Sequence, residues 1–221
     1  MSTTTAWMTT EPVVERVALD ERPWVDVVRC LVPDAAAVHA DLVRTASWRT
    51  GRTYRYERWV QDVRRRASQS GLRRHPALVE VATWLDRRYR VRFSGITLSE
   101  YRHGGEGLGF HRDRGMTWVD DTLVALLTFG AQRPFLMRPD TGRPLIDPDD
   151  ALRDAFDLSP ASGDLIVMGG RCQRSWLHAV PQVVTPVASR ISAQWRWTSR
   201  RGEPDTDPTS RDPRVFSRPP R

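Results

Sequence analysis

Apolar and polar residues alternate one by one along much of the chain after Val91, which is the period of a β-strand. Clusters of Gly, Pro or Asp separate most of the alternating runs, as turns between short strands require. Short strands joined by turns indicate a sandwich or jelly roll rather than alternating strand–helix units. Beyond the run that begins at Val91, the predicted strands are Thr122–Phe129, Pro134–Arg138, Asp164–Met168, His178–Val180 and Arg190–Trp197.

The first 93 residues follow a different pattern, with helical periodicity in two places. Pro33-Asp34 opens one helical segment, and a stronger one runs over Ala77–Tyr89 with apolar residues at the spacing of a helix. Trp24–Val32 has the composition of a strand, and the polar, basic run Val60–Arg74 is predicted to be a loop. The pattern therefore predicts a mixed α+β chain that is mainly β, with a partly helical N-terminal extension.

Four aromatic residues alternate with arginines in one short stretch, at Trp48, Tyr54, Tyr56 and Trp59. Aromatic rings stack on bases while arginines hold phosphates, so this composition suits a nucleic-acid surface. The alternative is an amphipathic hairpin whose aromatic residues pack on the core. The composition taken alone favours this alternative.

Length and composition restrict the class of protein. The 221 residues, 39% of them hydrophobic, are enough for a sizeable core. No run approaches the roughly 18 apolar residues of a membrane span, and the N-terminus lacks the pattern of a secretory signal. Cys30 and Cys172 lie far apart and lack metal-ligand spacing, which fits reduced thiols. We therefore expect a cytoplasmic protein with no membrane association.

Positive charge is carried entirely by arginine, and it is unevenly placed. The net charge is +7, and no lysine is present among the 34 cationic residues. Between Arg44 and Arg92, fourteen arginines accompany only four acidic residues. A local excess of this kind indicates a polyanionic partner. On charge alone, a solvated face of an arginine-rich protein is an equally good explanation.

His111 and Asp113 are two residues apart, so on an extended chain their side chains point the same way. A further histidine, His178, follows 65 residues after Asp113. Two histidines and one carboxylate on one side of a metal form the facial triad that holds iron(II) and leaves coordination positions open. These three residues are therefore candidate metal ligands.

The last predicted strand has one polar face, made of Arg190, Ser192, Gln194 and Arg196. The opposite face is apolar, so the polar face either lines a polar pocket or meets solvent. The guanidinium group is suited to bidentate capture of a carboxylate. The two arginines are six residues apart, about 20 Å along a strand, which leaves room between their side chains for a small dicarboxylate.

Taken together, these motifs resemble the AlkB-type Fe(II)/2-oxoglutarate dioxygenases. The resemblance covers about Ser94 to Arg196, with the motifs in the family's order. It implies a double-stranded β-helix (jelly-roll) core preceded by a helical, nucleotide-recognition extension. The implied division is residues 1–93 for the extension with its basic-aromatic substrate lid, 94–198 for the core, and 199–221 for a tail whose composition predicts disorder.

The resemblance also implies roles for single residues. His111, Asp113 and His178 resemble the iron ligands, and Arg190 resembles the arginine that pairs with the distal carboxylate of 2-oxoglutarate. Arg196 resembles the second arginine, near the proximal carboxylate and the substrate, and is counted with the catalytic residues. The remaining implied contacts are Tyr101 and Ser192 for the co-substrate, and Trp48, Tyr54, Tyr56, Trp59 and Arg112 for the substrate.

The implied reaction uses Fe(II), 2-oxoglutarate and O₂ to demethylate an alkylated nucleobase of DNA or RNA, releasing formaldehyde, succinate and CO₂. The implied partner is a nucleic acid whose damaged base is single-stranded or flipped out of its stack. We expect a monomer. Two alternatives stay open: the same chemistry on a small metabolite or peptide, and a non-catalytic nucleic-acid-binding module.

The sequence departs from the family pattern in two places. Ser99 stands where the family's Asn-x-Tyr element has asparagine, so one hydrogen bond of the co-substrate pocket is altered. Many repair members carry an acidic residue shortly after the His-x-Asp motif, whereas Arg114-Gly115 follow Asp113 here. The nearest acids are Asp120 and Asp121. The second departure bears on which base, if any, is the substrate.

Overall fold

The computed structural model describes residues 6–55, 58–68, 75–113, 115–142, 152, 154–202 and 204. Within them, two antiparallel sheets and two longer helices make up the fold. The helices are α1 (Ala35–Thr45), α2 (Pro76–Tyr89) and the single turn α3 (Cys172–Ser175). The strands are β1 (Glu15–Ala18), β2 (Trp24–Val28), β3 (Arg49–Arg55), β4 (Arg58–Ser68), β5 (Ser94–Tyr101), β6 (Leu108–His111), β7 (Thr122–Gly130), β8 (Leu136–Pro139), β9 (Phe156–Asp157), β10 (Leu165–Gly170), β11 (Trp176–Val180) and β12 (Arg190–Thr198).

The larger sheet has eight strands in the order β1-β2-β10-β7-β12-β5-β4-β3, and the smaller has four in the order β6-β11-β8-β9. Apolar side chains from both sheets meet in one core, to which Val124 and Ile166 of the larger sheet and Met137 and Val180 of the smaller sheet contribute. Two facing antiparallel sheets around a shared core are the architecture of a jelly roll.

A second core lies on the other face of the larger sheet, where α1 and α2 pack. Alternation along β12 divides its side chains between the two faces: Ile191, Ala193 and Trp195 join this helix-side core. Arg190 and Ser192 consequently point into the space between the sheets. The predicted separation of this strand into an apolar and a polar face is therefore confirmed.

The predicted loop over Val60–Arg74 is wrong for its first part, because β4 extends to Ser68 and pairs with both β3 and β5. Among the described side chains of this strand, only Ala67 joins the helix-side core, so its sequence shows no continuous apolar face. Arg65 instead donates to the buried carboxylate of Glu100 over 2.7 Å, so an ion pair takes the place of an apolar contact. Residues 69–74 lie outside the described residues.

The strands of the N-terminal region belong to the same sheet as those of the core. β1 and β2 extend one edge beside β10, and β3 and β4 extend the other beside β5. The three-part division at residues 93 and 198 stays a prediction, and the sheet runs across the first of these boundaries. No helix among the described residues is both long and apolar enough to cross a membrane.

Candidate active site

His111 and His178 face each other on neighbouring strands of the smaller sheet. β6 and β11 are antiparallel with His111 opposite His178, and the two ring centroids are 4.3 Å apart. Asp113 follows the end of β6 by two residues. One ligand atom from each of the three side chains lies within 4.8 Å of the others, so the structure brings the predicted triad together.

Hydrogen bonding and packing orient both imidazoles. Nδ1 of His111 lies 2.8 Å from the carbonyl oxygen of Gly109, which only accepts, so Nδ1 donates its proton there and Nε2 is the ring nitrogen that a metal would use. The His178 ring stacks on Phe135 at 5.6 Å between centroids. Burial, and secondly the neighbouring His111, lower the pKa of His178 to about 3. His178 is therefore neutral at physiological pH, as metal binding requires.

Asp113 is buried and is held by two glutamines. Its backbone N–H donates to Oε1 of Gln173 over 2.8 Å, and its Oδ2 accepts from Nε2 of Gln194 over 2.8 Å. Its Oδ1 lies 3.1 Å from Nη2 of Arg196 and 3.9 Å from Nε2 of His178. Burial is the largest single effect and opposes ionisation, but Arg196, the two histidines and Arg64 together outweigh it and leave the pKa of Asp113 below its ordinary value. The carboxylate is therefore ionised, with Oδ1 facing the histidines.

Arg190 is buried with most of its hydrogen-bonding capacity unused. Its Nη2 donates to Oγ1 of Thr128 over 3.2 Å, whereas its Nε and Nη1 are buried and lack a hydrogen-bond partner among the described residues. Burial lowers the pKa of Arg190 to about 10, which still leaves it charged at neutral pH. An isolated buried cation with free donors is costly. It fits a site that a carboxylate completes.

Tyr101 lies directly across from Arg190, on the neighbouring strand β5. The guanidinium carbons of Arg190 and Arg133 are 5.9 and 5.7 Å from its ring centroid, and Nη1 of Arg64 donates to its hydroxyl over 3.4 Å. The pocket around Tyr101 is consequently strongly cationic, as a dianionic co-substrate requires. Ser192, the other predicted co-substrate contact, lies in register with Ser99 and Thr128 on its two sides.

Four residues of this site were not predicted. Gln173 follows the Cys172 that begins α3, and only the fold brings it to Asp113. Gln194 belongs to the polar face of β12, and the alternation along this strand is the signal that identifies it. Arg64 lies on the predicted loop, so its face could not be assigned. Arg133 is buried against the backbone carbonyls of His103, Gly104 and Pro181.

A cleft of about 710 Å³ adjoins the triad, and we call it the substrate cleft. Gln194 and Arg196, which both contact Asp113, form part of its wall. No acidic residue is found among the described residues that line it. The lining residues that bear on function are Arg92, Met116, Trp118, Gln194, Arg196 and Arg200.

The structure does not bring Trp48 to the triad. Its indole Nε1 donates to the carbonyl oxygen of Leu42 over 3.3 Å, and its ring packs against the helix-side core. It thus lies on the face of the larger sheet opposite the site, so the assignment of Trp48 to substrate is corrected. The packing alternative, an amphipathic hairpin, describes this residue.

The other predicted substrate residues have different outcomes. The backbones of Tyr54 and Trp59 pair across the β3–β4 hairpin, and Tyr56 lies outside the described residues. Arg112 is close to the carbonyl oxygen of Arg174 at 3.4 Å and to Asp140 at 3.7 Å. The structure therefore places Arg112 beside α3 rather than in the substrate cleft.

The acids nearest to the His-x-Asp motif do not replace the missing acidic residue. Asp120 forms ion pairs with Arg171 at 2.8 Å and Arg174 at 2.7 Å, which hold it against the residues of α3. Asp121 is exposed. Arg114 lies outside the described residues. Neither aspartate lines the substrate cleft.

Comparison with known proteins gives a family match over most of the chain. The model of the 2OG-Fe(II) oxygenase superfamily matches residues 12–203. The DNA oxidative demethylase ALKBH2 of Arabidopsis thaliana is 25% identical over 55% of this chain and 43% of its own length. The human alpha-ketoglutarate-dependent dioxygenase alkB homolog 3 is 25% identical over 59% of this chain and 46% of its own. The chain thus spans less than half the length of these curated relatives.

Solved structures share the fold at low sequence identity. A prolyl hydroxylase in complex with a hypoxia inducible factor peptide, from Trichoplax adhaerens, has a TM-score of 0.56 and 11% identity, over 78% of this chain and 83% of that one. HygX from Streptomyces hygroscopicus, solved with nickel and 2-oxoglutarate bound, has a TM-score of 0.54 and 12% identity, over 81% of this chain and 84% of that one. The predicted mainly β, jelly-roll fold is confirmed.

Proposed function

Because the chain belongs to the 2OG-Fe(II) oxygenase superfamily, we propose that it oxidatively demethylates alkylated nucleobases in DNA or RNA. The predicted AlkB-type family, the predicted enzyme class of 2-oxoglutarate-dependent dioxygenase and the predicted cofactors are confirmed at the level of the family. The substrate is the proposed part. Two curated relatives support it, since one is named a DNA oxidative demethylase and the other an alkB homologue.

The donor set suits a divalent iron. One ligand atom from each of two imidazoles and one carboxylate lies within 4.8 Å of the others, and such a triad on one side of a metal would leave positions for co-substrate and O₂. We assign His111 through Nε2, His178, and Asp113 through Oδ1 as the ligands. Gln194 occupies Oδ2 of Asp113, so it favours ligation through one carboxylate oxygen only.

The co-substrate pocket is assigned on the buried donors of Arg190. The distal carboxylate of 2-oxoglutarate would pair with the guanidinium group of Arg190, whose Nε and Nη1 lack partners among the described residues, and Tyr101 and Ser192 would bound the pocket. Arg196 bridges Asp113 and the substrate cleft, so it is placed between the metal centre and the substrate.

The bound iron, with 2-oxoglutarate and O₂, supplies the oxidation that turns an N-methyl C–H into C–OH, while 2-oxoglutarate leaves as succinate and CO₂. The hydroxymethyl group would then be lost as formaldehyde, and its hydroxyl proton would pass to the base nitrogen or to solvent. The residues of this chain orient the two substrates and exclude competing reactions. A base in this position would have to leave its stack, so the proposed substrate is single-stranded or carries a flipped base.

One observation carries the choice of a nucleic acid. The substrate cleft is lined by Arg92, Arg196 and Arg200, lacks an acidic residue among its described lining, and adjoins the triad. It also contains Trp118, an aromatic ring that could stack on a base. Cationic groups beside an aromatic ring match a nucleotide better than they match a neutral metabolite. A monomer in the cytoplasm stays the prediction for the assembly and its location.

The test is mass spectrometry of oligonucleotides that carry methylated adenine, methylated cytosine or alkylated guanine, after incubation with Fe(II), 2-oxoglutarate and ascorbate. We expect loss of a methyl group from at least one of them, together with succinate, and no loss with Asp113→Ala. Turnover of 2-oxoglutarate with no change in any oligonucleotide would contradict the proposal and favour a small metabolite or peptide.

A further inference from the structure

A second cleft lies next to the substrate cleft, at the C-terminal end of α2, and we call it the outer cleft. Its volume is about 520 Å³, and it is lined by Thr83, Asp86, Arg87, Arg90, Val91 and Arg92. Arg92 lines both clefts, so the two are neighbours at this side chain. Together they form a path of positive charge that leads outward from the metal centre.

The arginines of the outer cleft are available to a ligand. Arg87 and Arg90 are exposed, and no acidic residue of the described chain lies within ion-pair distance of either. The side chain of Arg92 is 94% exposed, and its Nη1 is 3.4 Å from Oδ2 of Asp86. The carboxylate of Asp86 also accepts a hydrogen bond from the backbone N–H of Phe93 over 2.9 Å, so it is bound to the turn as well as to Arg92.

The turn that carries these arginines is fixed and strained. Arg90 caps α2 in the left-handed conformation, with φ 54° and ψ 40°, and the backbone N–H groups of Arg90 and Val91 bond back to Asp86. Glycine is the usual residue at a left-handed helix end, because any side chain there costs free energy. An arginine at this position lowers the stability of the fold relative to glycine, and it places a cation at the mouth of the outer cleft.

The helix end offers a competing explanation that covers only part of this pattern. Cations near a helix C-terminus interact favourably with its dipole, which accounts for Arg87 in the last turn of α2. It does not account for Arg90, which is beyond the last helical residue in a conformation that disfavours it. It also does not account for Arg92, which links this cleft to the substrate cleft.

We propose that the outer cleft binds the phosphates of the nucleotides that flank the reacting one, so that a single strand runs from the substrate cleft over Arg92 to Arg90 and Arg87. This inference rests on the proposed function. It adds that the protein binds several nucleotides of the substrate strand and not only the reacting one. A single strand is favoured over a duplex because unstacking a base into the substrate cleft costs less free energy from a single strand than from a paired one.

The experiment compares methylated single strands of three and fifteen nucleotides, in binding and in turnover. For Arg87→Gln/Arg90→Gln we expect about tenfold weaker binding and lower kcat/KM on the fifteen-nucleotide strand, with values within twofold of the parent on the trinucleotide. The slope of log affinity against log salt should fall by about 1.4, since each lost phosphate contact with a single strand removes about 0.7. The matched control, Arg22→Gln/Arg44→Gln, removes the same charge from exposed positions outside both clefts and should change neither.

A single substitution separates binding from folding. Arg90→Gly should weaken binding of the longer strand about threefold while the melting temperature stays equal or rises, because glycine relieves the left-handed strain. Three results would contradict phosphate binding by the outer cleft. They are an equal loss of affinity for the short and the long strand, unchanged affinity in both cleft variants, and the same loss of affinity in the control. If the parent protein binds strands with this length dependence but demethylates none of them, phosphate binding by the outer cleft is supported and the proposed demethylation is contradicted. If short and long strands are demethylated with equal kcat/KM, the proposed demethylation is supported and phosphate binding by the outer cleft is contradicted.

Discussion

Nε2 of Gln194 donates to Oδ2 of Asp113 over 2.8 Å, and Oε1 of the same glutamine accepts from Nη2 of Arg196 over 2.9 Å. One amide therefore connects the carboxylate of the triad to the arginine that lines the substrate cleft. It leaves Oδ1 of Asp113 directed toward the histidines. Gln194 is in this sense a positioning residue, acting on the metal centre through Asp113.

Gln194→Leu should weaken metal binding about 10- to 100-fold, the usual effect of losing a hydrogen bond to a ligating side chain. Isothermal titration with Ni(II) measures this directly. The matched control is Gln132→Leu. It removes an exposed side-chain amide that donates to the carbonyl oxygen of Ser159 and not to Asp113. Equal Ni(II) affinity in both variants would show that Gln194 does not position Asp113.

Asp113→Ala should abolish succinate formation, because the metal loses the carboxylate ligand of the triad and Arg196 loses its ion pair with Asp113. Binding of a single strand should remain within about twofold, since the clefts are cationic without Asp113. Asp120→Ala serves as the control, because that carboxylate is engaged with Arg171 and Arg174. Succinate formation by the Asp113 variant would refute the ligand assignment.

Arg190→Met should raise the KM for 2-oxoglutarate about 10- to 100-fold, which corresponds to one charge-assisted hydrogen-bonded pair. Arg190→Lys keeps the charge but loses the fork of donors, so an intermediate KM is expected. Steady-state kinetics at varied 2-oxoglutarate, together with the co-substrate-induced rise in melting temperature, provide the measurement. An unchanged KM in both variants would place the distal carboxylate elsewhere.

The two thiols should differ sharply in reactivity. Burial raises the pKa of Cys172 to about 12, so at pH 8 almost all of this thiol is protonated, and the thiolate is the nucleophile. Cys30 is exposed. Iodoacetamide should add one group to the folded protein, at Cys30, and two groups after denaturation, as read by intact and peptide mass spectrometry. Early modification of Cys172 would contradict the burial of α3 against β2.

Local sequence was enough to locate most of the regular structure. Ala77–Tyr89 differs from α2 by one residue, and the predicted strand Thr122–Phe129 differs from β7 by one, because each has a clear periodicity of its own. β4 was missed because its polar face is stabilised by an ion pair to Glu100, a residue 35 positions away. The sequence of the strand itself contains no signal for a partner this distant.

The sequence by itself determined the residue types of the chemistry, since His111, Asp113, His178 and Arg190 stand in recognisable motifs whose order is readable along the chain. Only the tertiary structure decided which side chains surround them. Gln173 and Gln194 reach Asp113 from 60 and 81 residues away, and Trp48 falls on the far side of the larger sheet. The reason is physical: strand pairing and the side chain's face of the sheet set these contacts, and both depend on the register between distant segments.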